Sequence, residues 1–235
     1  KVASRPYDVL SSEEARVEAK GNPNSFLHVV KSEIDLPESV DHYDRKVYEK
    51  ARDNFNSMIK NGVLFQDEKP MLYIYAQTMN GRTQYGIMGC AAVEEYEKNI
   101  IKKHELTRKD KEDDRCNHVE TTNANTGVVF LTYRDHDGVN KTVTEWTKNN
   151  SSEYSFTAID GIKHEVWPIN DSKVVDKIVG YFKEIPELYI ADGHHRSASA
   201  YRVGAKKRAE NPSHRGDEEY NFFLATYFPA SHLMI

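Results

Sequence analysis

The residues best suited to chemistry in this sequence sit in one short run. Leu188 to Tyr201 reads L-Y-I-A-D-G-H-H-R-S-A-S-A-Y, an apolar strand, a glycine and then a helix. Gly193 frees the backbone for a sharp turn. Asp192 falls where the strand gives way. His194, His195, Arg196 and Ser197 fall in the first helical turn, where unpaired N–H groups and the helix dipole favour an anion. Arg196 adds a planar fork of donors suited to phosphate or carboxylate. The plain alternative is a helix capped by Asp192 with two surface histidines beside it. Cations in a first turn oppose the dipole, however, so His-His-Arg at this place favours a phosphate-binding turn with an acid beside it.

A second run, Lys98 to Arg115, holds seven basic and five acidic residues and little apolar matter. A helix over 104–118 would put His104, Thr107, Lys111 and Arg115 on one face. Lys111 and Arg115 are then like charges one turn apart, a small cost that a bound phosphate or diphosphate would turn into attraction. Glu112 and Asp114 offer the other way of screening them, in an ordinary solvated helix. His104-Glu105 is not a H-E-x-x-H zinc site, because Arg108 stands where the second histidine belongs. Glu105 and Asp192 are the candidate bases or Mg²⁺ ligands, since phosphate and carboxylate oxygens suit that ion.

Composition bounds what these residues can serve. The chain has 235 residues, 38% hydrophobic and 11% aromatic, too many aromatics for a disordered chain. Its longest apolar runs fall far short of the roughly 20 residues that span a bilayer. A net charge of −5 supplies no general field for nucleic acid. Two separated cysteines, Cys90 and Cys116, build neither a disulfide scaffold nor a zinc finger, and Cys90 between Gly89 and Ala91 reads as a small core residue. No signal peptide opens the sequence, so a cytoplasmic address is expected. The start at Lys1 and the apolar end at Ile235 are those expected of the N-terminal part of a longer chain. No P-loop, G-x-G-x-x-G turn or G-x-S-x-G elbow is present.

The elements that must position the candidate residues are mixed. A polar, turn-rich lead-in occupies the first forty residues, and Pro37-Glu38 then opens a helix whose stripe Tyr43, Val47, Ala51, Phe55, Ile59 ends at Asn61-Gly62. Met71–Thr78 and Gln84–Val93 form a hairpin across Asn80-Gly81, followed by a helix over Glu94–Lys103. Val128–Tyr133 is a strand, Asn140–Lys148 a short helix, and Tyr154–Ile159 pairs with Ile162–Trp167 across Asp160-Gly161. Asp171 caps a helix reaching about Glu184, Leu188–Ala191 is a strand, a helix runs from about His194 to Glu210, and Phe222–Phe228 is the last strand. The expectation is one α+β region over residues 1–235, a mixed sheet with hairpins and packed helices.

Four separated blocks carry a family resemblance. They are Arg5-Pro6-Tyr7-Asp8-Val9; Asn22-Pro23 leading to Phe26-Leu27-His28; Lys103-His104-Glu105 with Thr107, Lys111-Glu112 and Arg115; and Ala191-Asp192-Gly193-His194-His195-Arg196. The set resembles a large bacterial family known as a domain of unknown function and covers nearly the whole chain. That family looks related to pyrophosphate-dependent free-serine kinases and, more distantly, to ParB/sulfiredoxin-like proteins. The resemblance implies a ParB/sulfiredoxin-like element around the D-G-H-H-R turn. By residue type alone Arg5, Asp8 and His28 would be ordinary surface or half-buried groups; the family pattern makes them substrate-binding candidates.

Two functions follow as expectations. The first is phosphoryl transfer from pyrophosphate or a nucleotide to a small hydroxy amino acid, free L-serine above all. Arg196, Ser197, His104, Thr107, Lys111 and Arg115 would bind phosphates, Asp192, Glu105, His194 and His195 would act in catalysis, and Mg²⁺ would be the cofactor. The second is a non-catalytic ParB-like module binding a nucleotide or DNA, against which the net charge of −5 weighs. A metal hydrolase built on His104, His194 and His195 lacks a third-ligand spacing.

Overall fold

The computed structural model describes residues 1–233. Its N-terminal part is helical where the sequence reading expected mainly turns. Ser11 and Glu14 exchange hydrogen bonds in a capping box and start Ser12–Ala19 (α1), which is followed by Leu27–Val30 (α2). Leu10, Ala15, Ala19, Leu27, Val30 and Ile34 close a small core of their own. The next helix starts at Arg45 rather than after Pro37. The Asp44 side chain accepts from the Lys46 amide at 2.9 Å, a stronger start signal than proline in a turn, and the helix runs Arg45–Lys60 (α3). Val47, Tyr48, Ala51 and Met58 form its buried face, whereas Tyr43 precedes it and Ile59 is exposed.

Strands Leu72–Met79 (β1) and Arg82–Ala92 (β2) form the expected hairpin, with Asn80 and Gly81 both at positive φ. Then come Val93–Glu97 (α4), Ile101–Lys102 (β3), Lys109–Thr122 (α5), Val129–Tyr133 (β4), Asp137–Asn149 (α6), Tyr154–Thr157 (β5), Lys163–Ile169 (β6), Ser172–Phe182 (α7), Leu188–Asp192 (β7), His194–Glu210 (α8) and Phe222–Pro229 (β8). The helix expected over 94–103 is thus a single turn and a short strand. The one expected over 104–118 begins only at Lys109, so His104 and Thr107 lie on a loop and do not share a helix face with Lys111 and Arg115.

All eight strands join one mixed sheet in the order β3-β7-β4-β8-β2-β1-β6-β5, in which β3–β7 and β4–β8 are parallel. One register line crosses six strands through Trp167, Ile74, Ile87, Tyr227, Leu131 and Ile190, every one buried. The helices pack on this face. Phe182 of α7 meets Tyr133 and Tyr227, and Ala198 and Ala200 of α8 enter the same core as Val129 and Phe223. Cys90 falls on the other face and is exposed, which corrects its reading as a core residue: apolar residues occupy both faces of β2, so strand parity could not be read from hydrophobicity. No described helix is long and apolar enough to cross a membrane.

Helix α5 packs between α8 and α3, and buried His118 joins it to the N-terminal core by donating Nε2–H to the Val29 carbonyl at 3.0 Å. Burial, reinforced by Arg115, pushes this imidazole down to about 4. The unfolded chain therefore takes the proton first, and stability present above about pH 6.5 is lost as pH falls towards 4. His118→Gln is expected to flatten the acid limb between pH 6.5 and 5, where carboxylates are still ionised, and urea unfolding at the two pH values measures it.

Candidate functional site

The run from Leu188 folds as its residues require. Strand β7 ends at Asp192, Gly193 takes φ 95°, ψ 32°, and α8 begins at His194. That backbone is left-handed and suits glycine. Gly193 itself is the N-cap, and no side chain caps the helix, so Asp192 is not a cap and the first-turn amides of a 17-residue helix stay open.

Asp192 instead accepts a 2.6 Å hydrogen bond from Arg196. The Arg196 guanidinium is mostly buried, at 14% exposure; it also donates to the Val128 carbonyl and lies 3.6 Å from Asp8 of the N-terminal segment. Its stem crosses Gly127 so closely that a Cβ there would come within 2.9 Å of Arg196 Cδ. Arg115 approaches from α5. It is held by Asp114 at 2.7 and 3.0 Å, and its guanidinium lies 4.3 Å from the centre of the Tyr7 ring. Tyr48 donates to the other oxygen of Asp114 at 2.9 Å.

Arg115, Arg196 and Tyr7 line one cleft of about 30 Å³ with Asn125, Thr126 and Gly127. That volume suits a water or two and not a diphosphate. A phosphoryl ligand would have to seat at the mouth, on the α8 amides, or part the Arg196–Asp192 pair.

A second group borders the same helix start. The loop before α5 places the His104 ring edge-on to His194, with centroids 4.4 Å apart, and Glu105 lies 3.6 Å from His194 Nδ1. The Arg108 amide donates to His195 Nε2 at 3.2 Å. His194 is 5% exposed, and its Nε2 is buried without a protein partner among the described residues. An unpaired buried nitrogen is costly and is a natural place for a ligand contact. Burial chiefly, and His104 next, lower its pKa, while Glu105 and Asp192 oppose them.

Asp192, Arg196, His194, His195, His104, Glu105, Arg115 and Asp8 therefore surround one helix start. Other candidates are engaged differently. Ser197 is fully buried and donates to the Gly193 carbonyl at 3.1 Å, so its hydroxyl faces away from any ligand, a correction imposed by the helix turning it inward. Thr107 donates to Glu112, which also receives Arg202. Lys111 reaches Tyr43 at 3.3 Å, and Arg5 pairs with Glu18. His28 bonds to Asp35 and the Asn22 carbonyl and lines a separate cavity of about 360 Å³ beside Arg16 and Pro23. Sequence reasoning offered Asp114 as a screen for Arg115, where it is found, but missed Tyr7 and the Gly127–Val128 backbone. Tyr7 stood inside the R-P-Y-D block, but nothing in the sequence marked the Gly127–Val128 contact.

No group of three or more His, Cys, Asp or Glu side chains is placed to hold a metal among the described residues. Asp192 and Glu105 are both well exposed. Such a pair fits a Mg²⁺ carried in on phosphates better than an ion caged by protein. The electrostatics of His194 give a direct check. An NMR titration should show it protonating below the ordinary value; Glu105→Gln should lower it further, and His104→Ala should raise it.

No curated protein and no solved structure matches this chain. A family model matches residues 1–235, from one end of the sequence to the other. With that match the chain belongs to the family described as "Protein of unknown function (DUF1015)".

Proposed function

We propose that this protein is a phosphotransferase that moves a phosphoryl group from pyrophosphate or a nucleotide to a small hydroxy amino acid, free L-serine above all. The observation that carries the reading is the uncapped start of α8, with the unpartnered His194 Nε2 buried beside it and two carboxylates, Asp192 and Glu105, at its rim. Phosphoryl transfer asks for positioning and for positive potential around the moving group. Open amides, Arg196 and Arg115 supply that potential, and no P-loop is needed. Mg²⁺ would neutralise donor charge, with Asp192 and Glu105 the carboxylates available to it. The ParB/sulfiredoxin-like relationship belongs to this proposal and rests on the D-G-H-H-R turn.

In the reaction, the acceptor hydroxyl oxygen forms the new O–P bond while the donor's bridging P–O bond breaks. The hydroxyl proton passes to a carboxylate, and the donor leaves as orthophosphate or the lower nucleotide. Asp192 is already engaged by Arg196, whereas Glu105 pairs, among the described residues, with the His194 imidazole alone. Glu105 is accordingly the better-placed base and Asp192 the group that sets Arg196.

³¹P NMR with serine, Mg²⁺ and pyrophosphate, ADP or ATP in turn tests the activity; a phosphoserine resonance with one donor is expected, and none with any donor refutes the reading. Glu105→Gln should lower kcat by roughly 10² or more. Asp192→Asn and Arg196→Lys should act mainly on donor KM. Reversal of the two carboxylate effects would move the base to Asp192.

A further inference from the structure

An eight-stranded sheet with helices on one face should show water a polar second face. This one does not. Opposite the helices, register lines bring up Tyr73, Tyr75, Met88, Leu224, Phe130 and Phe156, all at least partly exposed. Apart from Arg82 at the hairpin tip, no residue that β1, β2, β4, β5, β6 or β8 places on this face is charged. Aromatic rings are already stacked across it: Phe156 on His164 at 5.1 Å and His164 on Tyr75 at 5.9 Å. Phe228 then meets both Tyr75 and Phe130. Aromatic and methionine side chains without charges are the composition of an interface core.

We propose that this sheet face is the contact through which two copies of the chain associate, sheet against sheet. Strand spacing and rise make the face on the order of 700 Å², close to the roughly 800 Å² that each partner buries in a standard stable interface. A two-fold contact sets a surface against itself, which fails when like charges meet; this face keeps its charges to the edges, with Arg82 at the hairpin tip, Asp67 on the Tyr73 hydroxyl, and Lys102 paired with Glu187 at the far edge, so little like charge faces its centre. Two such sheets would pack about 10 Å apart with side chains interleaved. The contact is separate from the α8 start, so it stands or falls independently of the proposed activity.

Met88 is partly exposed near the middle of the face, paired with Tyr73 and Thr226. Light scattering after size exclusion should give a two-chain mass for the natural chain and a one-chain mass for Met88→Glu and for Met88→Lys, with unchanged circular dichroism. Mixing the two variants should restore the two-chain mass, an outcome that misfolding cannot mimic. A one-chain mass for the natural protein overturns the proposal. So does a Met88→Glu protein that remains two-chain, or a mixture that fails to reassociate.

Discussion

The site hangs on one buried guanidinium. Arg196 ties together the carboxylate ending β7, the carbonyl before β4 and, more loosely, the N-terminal segment through Asp8. It sits in the first turn of α8, so the contact that fixes the strand end also fixes the helix start. A mostly buried guanidinium is tolerable only when its donors are met, and removing one partner of such a group generally costs more than the pair contributes. Asp192 is itself well exposed, which screens its share; the Val128 carbonyl and the close pass over Gly127 hold the side chain more firmly. Gly127 and Gly193 are needed together, one for the approach of the stem and the other for the left-handed turn that aims it.

This arrangement leaves the amides of α8 as the uncommitted positive element of the site. Arg196 and Arg115 each face a carboxylate already, and Lys111 lies on Tyr43. An incoming anion would therefore meet a helix start first and the arginines second, after exchange with Asp192 or Asp114. The histidines differ in the same spirit: His195 accepts from a backbone amide, whereas His194 keeps one buried nitrogen unpaired.

What could be read from the sequence was local. The strand, glycine and helix around Asp192, the Asn80-Gly81 hairpin and the Asp171 cap follow from neighbouring residues, and each was found in place. What could not be read was decided by partners far along the chain. Tyr48 of α3 fixes the Asp114 carboxylate that holds Arg115, and the segment 103–108 is a loop that lies against the start of α8. Cys90 shows a third limit, since period-two reading needs one polar face and this sheet has two apolar ones. The capping box at Ser11 and Glu14 was legible and overlooked amid the turn residues around it.

The central claim is that the α8 start, set by Arg196, receives a phosphorylated ligand. Amide ¹H–¹⁵N spectra of the chain titrated with Mg²⁺-pyrophosphate test it without requiring turnover. Saturable shifts centred on the amides of Gly193, His194, His195 and Arg196, weakened in Arg196→Lys, are the expected result. Saturation with those four amides unmoved, or shifts spread over surface lysines and arginines that never saturate, would contradict the account.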